Sequence, residues 1–118
     1  LHQRPGHGGL QVCPGQTLLT ANGPDGGGPL AWTDVEPLAG VVTCNIGDML
    51  MRWSDDRLPS TLHRVRMPRT DEPQGPRYSL AFFCQADANA VIQGPEKRYA
   101  PISAREYLQQ RITANFAG

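Results

Sequence analysis

The chain has 118 residues, the size of one domain or a piece of one, and so short a chain buries a workable core only if its elements close well around it. Lysine plus arginine equals aspartate plus glutamate at 11 each, which favours neither a phosphate backbone nor an anionic membrane surface as partner. No apolar run approaches membrane-spanning length, Leu1-His2-Gln3-Arg4 has no signal-peptide core, and Cys13, Cys44 and Cys84 match no disulfide or zinc spacing.

These features lead to the expectation of a chain in a reducing, cytoplasmic setting. The start at Leu1 points to processing or truncation. Cys44 and Cys84 lie in apolar runs and are expected to be buried and inert.

In chain order, the first strand-like run is Leu10-Gln11-Val12-Cys13, followed by Asn22-Gly23-Pro24-Asp25-Gly26-Gly27-Gly28-Pro29, which can hold neither a helix nor a central strand. Ala31 to Val35 and Val41 to Ile46 come next as strands. Asp48 is placed to cap a single helical turn running through Met49 and Trp53. Thr61 to Val65 is a fourth strand, Pro68 to Pro76 a polar, proline-broken surface loop, and Tyr78 to Cys84 a fifth strand. Five strands at this spacing suggest an antiparallel sandwich or barrel. The last element is a helix, because Ser103-Ala104-Arg105-Glu106 has the capping-box arrangement and Leu108, Ile112 and Phe116 recur every four residues, a stripe expected to pack on the sheet.

Two small patterns carry chemistry. Alternation puts His63 on the strand face it shares with Thr61 and Val65, although a lone strand histidine is more often an ordinary hydrogen-bonded residue than a ligand. Arg77 and Ser79, two apart on a strand, present a guanidinium and a hydroxyl on one side, a combination suited to a carboxylate; a surface arginine at a strand start is the plainer alternative.

The joint pattern is more specific. The chain reads Asn45-Ile46-Gly47-Asp48-Met49-Leu50, then Arg52-Trp53-Ser54, then Arg57-Leu58-Pro59-Ser60-Thr61-Leu62-His63-Arg64-Val65, and finally Arg77-Tyr78-Ser79-Leu80-Ala81-Phe82-Phe83, with Gly8-Gly9-Leu10-Gln11-Val12, Trp32 and Val35 before Pro37 upstream. In order and spacing this resembles the C-terminal part of the isopenicillin N synthase-like, iron(II)- and 2-oxoglutarate-dependent oxygenases, over nearly the whole chain and weakening after Asn89.

The resemblance implies a mainly β fold, a partial double-stranded β-helix or jelly roll with a C-terminal α-helix, with residues 1–118 forming the C-terminal part of the oxygenase domain. It implies oxidation of a small organic substrate by hydroxylation, desaturation or cyclisation, with iron(II) and 2-oxoglutarate as cofactor and cosubstrate and ascorbate as a further candidate. His63 matches the distal histidine ligand of the metal. Arg77 and Ser79 match the pair holding the distal carboxylate of 2-oxoglutarate, with Arg77 and His63 expected to point into one cavity from neighbouring strands, although isopenicillin N synthase and aminocyclopropane-carboxylate oxidase keep such a pair without using that cosubstrate.

The family's other two ligands come from a His-x-Asp motif before the Gly-Gly-Leu-Gln segment. Neither His2 nor His7 fits it, because Arg4 and Gly9 stand two residues on. Leu1-His2-Gln3 instead resembles the strand that follows the motif. The isolated chain is therefore expected to be inactive, and the competing reading is a non-catalytic jelly-roll remnant or binding module. Asp55-Asp56 replaces the family's Asn-Gly-type turn, which implies positive φ at a residue poorly suited to it or a different turn. An opened jelly roll is expected to aggregate or pair with a second copy.

Overall fold

A computed structural model describes residues 2–3, 7–14 and 30–116, with the backbone alone for 2, 3, 115 and 116. The glycine-rich segment Asn22 to Pro29 and the side chain of Phe116 lie outside the described residues. The elements in order are β1 (His2–Gln3), β2 (Leu10–Cys13), β3 (Thr33–Asp34), α1 (Asp48–Trp53), β4 (Leu62–Val65), β5 (Ser79–Leu80), β6 (Val91–Ile92), β7 (Ile102–Ser103) and α2 (Ala104–Phe116). They fall into two compact units, one of residues 1–45 and 61–82, the other of 46–60 and 83–118.

The first unit is all β. Its three-stranded antiparallel sheet runs β3-β2-β4, and β1 pairs with β5 in a separate ladder. β2 takes the centre because its own residues supply the buried apolar side chains, Leu10 and Cys13. Val12 stands opposite His63, Leu10 opposite Val65, and Gln11 opposite both Arg64 and Asp34. Directly opposed residues share a face, so His63, Val65, Leu10, Val12 and Thr33 lie on one side and Gln11, Arg64 and Asp34 on the other.

Several expected strands are shorter. Ala31 to Val35 contracts to Thr33–Asp34 and Tyr78 to Cys84 to Ser79–Leu80, while Val41 to Ile46 joins none of the ladders among the described residues. Residue type reports fitness for a pleated surface, whereas a strand exists only where a neighbouring backbone completes its hydrogen bonds. Accordingly Cys44 and Cys84 are exposed, contrary to the expectation of burial, and Cys13 is the buried thiol; all three are free.

The second unit packs α1, the β6-β7 ladder and α2 around Ile92 and Ala104. Asp48 is the first residue of α1 and not its cap: Gly47 occupies the N-cap position and makes no side-chain hydrogen bond. The Asp48 carboxylate instead takes the Arg111 guanidinium, and its carbonyl accepts the Tyr107 hydroxyl at 3.3 Å. The capping box of α2 forms as its sequence predicts. Ser103 Oγ donates to Glu106 Oε2 at 2.8 Å and accepts from the Glu106 amide at 3.2 Å.

Which face of α2 is used differs from expectation. Leu108 and Ile112 are 39% and 43% exposed, and the residues turned to α1 are Tyr107 and Arg111. Both stripes have i,i+4 spacing, and α1 provides an acceptor and a counter-charge for the polar one.

Beyond α1 the chain turns through two consecutive left-handed residues, Asp55 at φ 52° and Asp56 at φ 65°. The conformation is costly for residues with a Cβ, and side-chain hydrogen bonds offset it. Asp55, 4% exposed, accepts from the Glu96 and Arg98 amides at 2.7 and 3.1 Å. Asp56 accepts the Tyr99 hydroxyl at 2.6 Å and pairs with Arg98 at 3.1 Å. The carboxylate pushes the Tyr99 phenol above its ordinary value of 10. Among the described residues no helix is long and apolar enough to cross a membrane.

Candidate functional site

His63 sits in β4, exposed to solvent, with Nδ1 3.0 Å from the Thr61 carbonyl oxygen. A carbonyl only accepts, so Nδ1 carries a proton, and in the neutral ring Nε2 keeps its lone pair. A histidine ligand takes that tautomer when it binds a metal through Nε2, with the outer nitrogen anchored on a backbone carbonyl. The imidazole therefore suits iron(II) as one member of a ligand set. One imidazole holds a metal weakly and unselectively, and among the described residues no three His, Cys, Asp or Glu side chains gather into a metal-binding group.

Arg77 lies two residues before Ser79, at the entry to β5. Its Nε donates to the Gly8 carbonyl at 3.0 Å. Gly9 next to it has φ +112°, and a Cβ there would stand 3.1 Å from the Arg66 carbonyl oxygen, 3.7 Å from Val65 Cγ1 and 3.8 Å from Arg77 Nε. Glycine is thus favoured twice over, by conformation and by the close approach of the Arg66 carbonyl. Ser79 is exposed on β5, opposite Gln3 of β1.

One expectation needs correcting. Arg77 and His63 do not stand on neighbouring strands: β4 completes its ladder with β2, and β5 with β1. β4 and β5 follow one another among the strands yet close different ladders, each with a partner distant in sequence.

The opposite face of the sheet holds a polar network. Gln11, 7% exposed, donates to Asp34 Oδ1 at 2.7 Å and accepts from Arg64 Nε at 2.8 Å, while the Arg64 guanidinium lies 4.1 Å over the Trp32 ring. Arg66 forms a two-pronged pair with Glu72 at 2.6 and 2.7 Å, and its Nε stands 3.5 Å from Asp34. Hydrogen bonding from Arg66, then from the Arg69 amide, holds the Glu72 carboxyl at about 2 against an ordinary 4.5. Gln11 chiefly, with Arg66 and Arg69, lowers Asp34. Spacing gives no hint of this network, whose members come from the three strands of the sheet and from the proline-broken loop.

The model of the 2OG-Fe(II) oxygenase superfamily matches residues 1–86. The chain belongs to this superfamily. The chain is 33% identical over 102 residues to 2-oxoglutarate-dependent dioxygenase ucsF of Acremonium sp, covering 72% of itself and 31% of that protein. It is 33% identical over 96 residues to homoarginine-6-hydroxylase 2-ODD-233 of Oryza sativa subsp. japonica, covering 72% of itself and 27% of that protein.

Full-length Neurospora crassa T7H, solved in complex with alpha-KG and thymine, aligns over 98% of this chain and 33% of its own, with TM-score 0.73 and 33% identity. The fold is accordingly part of the jelly roll of these oxygenases. The chain spans about a third of the length of these relatives.

Proposed function

We propose that this oxygenase-family chain is the C-terminal part of an isopenicillin N synthase-like, iron(II)- and 2-oxoglutarate-dependent enzyme that oxidises a small organic substrate. His63 is the iron ligand this part contributes, and Arg77 with Ser79 takes the distal carboxylate of 2-oxoglutarate. The observation carrying the reading is the His63 ring's anchoring: the bond from Nδ1 to the Thr61 carbonyl leaves Nε2 of the neutral imidazole with the lone pair a metal takes. When bound, iron(II) supplies activation of dioxygen at the expense of the oxo-acid.

The chain's own residues orient and hold. The Thr61 carbonyl fixes the imidazole tautomer, the Gly8 carbonyl fixes the Arg77 guanidinium from its Nε edge, and Ser79 adds a hydroxyl on the same side of the chain. A guanidinium fork meets both oxygens of a carboxylate, so lysine is a poor replacement.

The test uses the full-length gene product, supplied with iron(II) and 2-oxoglutarate and a substrate panel that includes thymine, the molecule bound in the T7H complex. Succinate formation is expected. His63→Ala is expected to abolish it, and Arg77→Lys to raise the KM for 2-oxoglutarate about tenfold or more. Unchanged turnover in His63→Ala sinks the reading.

A further inference from the structure

The segment joining β4 to β5 departs and returns at a single point. The Arg66 amide donates to the Gly9 carbonyl at 2.8 Å, and Arg77 Nε to the Gly8 carbonyl at 3.0 Å. Between these anchors the loop is organised around Glu72. Both carboxylate oxygens take the Arg66 fork, Oε2 also accepts the Arg69 amide at 2.8 Å, and the Glu72 amide returns to the Arg69 carbonyl at 3.0 Å. Asp34 on β3 ties the clasp to the sheet through Arg66 at 3.5 Å and Arg69 at 3.4 Å.

The pair is not an ordinary surface bridge. Only 16% of the Arg66 side chain and 30% of that of Glu72 is exposed, and the contact is two-pronged, which makes it less screened and geometrically specific. Four residues separate Glu72 from Arg77, and Pro73 and Pro76 lock two of their φ angles. The position of Glu72 therefore limits where Arg77 can stand. Arg66, Glu72, Arg77, His7 and Gly8 all wall the same cleft of about 60 Å³.

We infer that the Arg66–Glu72–Asp34 clasp is a positioning device that sets the Arg77 guanidinium for its acid ligand, with Glu72 as the positioning residue. Identifying that acid as 2-oxoglutarate rests on the functional reading above; the positioning itself does not.

The experiment compares wild type, Glu72→Gln, Glu72→Asp and Arg77→Lys in the full-length gene product. Two readouts are taken: exchange of the Arg77 Nε–H by NMR without metal, and kcat and KM for 2-oxoglutarate with iron(II). In Glu72→Gln the Nε–H is expected to exchange faster and KM to rise about tenfold, with kcat at saturation unchanged. Glu72→Asp, which keeps the charge, recovers part of both.

Unaltered Nε–H exchange in Glu72→Gln overturns the inference, as does faster exchange with an unaltered KM while Arg77→Lys raises it. An unaltered KM in Arg77→Lys strikes the functional reading instead, and the exchange measurement then decides the clasp alone.

Discussion

Gly94 has no tolerance for a side chain. It is buried, and a Cβ would fall on the Asp55 carboxylate, which is itself buried and committed to two backbone amides. Neither can move without leaving buried donors unsatisfied, so Gly94→Ala is expected to cost about 1–3 kcal/mol, read as a lower urea midpoint at unchanged slope. Asp55→Ala removes the acceptor itself and should cost a similar amount, about 1–3 kcal/mol, because the Glu96 and Arg98 amides lose their partner. The left-handed turn at Asp55 and Asp56 belongs to the same arrangement. The sequence left open positive φ there or a different turn, and the side-chain bonds that make left-handed aspartate acceptable become visible only once residues 94–99 are folded against it.

At the scale of elements, α2 depends on its first turn and the β4–β5 loop on its clasp. Ser103→Ala removes one half of the reciprocal capping bonds and should lower stability by about 1 kcal/mol, measured by thermal unfolding followed at the helix circular-dichroism band. The clasp is sensitive to acid. Glu72 titrates at about 2 in the folded chain and 4.5 ordinarily, so its contribution is complete above pH 4.5 and fades as pH falls from 4.5 through about 2. Asp34 is depressed as well and acts in the same direction. Amide exchange at Arg69, whose N–H donates to Glu72, should therefore lose protection across that acid range and stay flat above it. Loss of protection only at alkaline pH contradicts the assignment.

On the scale of the whole molecule, the apolar surface is large for so short a chain. Tyr78, Leu80, Phe82 and Phe83 are each more than 70% exposed, as is Met67. Contiguous apolar side chains and short open-edged ladders favour association, so the isolated 118-residue chain is expected to sediment as dimers or larger species at micromolar concentration. Sedimentation as a compact monomer refutes this.

Much of the family's plan was readable without coordinates, because local rules govern it. The β2 and β4 runs and the capping box of α2 follow from residue type and spacing, while the oxygenases and the jelly roll were implied by the family resemblance that the ordered combination of NIGD, STLHRV and RYSLAFF carries. What folding decided is which partner each segment meets. β4 pairs with β2 and β5 with β1, Val41 to Ile46 joins no described ladder, α2 turns Tyr107 and Arg111 to α1 in place of Leu108 and Ile112, and Arg66 finds Glu72 and Asp34. Hydrophobic period and propensity describe one segment at a time. Ladders, ion pairs and buried carboxylates need two segments at hydrogen-bonding distance, and only the tertiary structure brings them there.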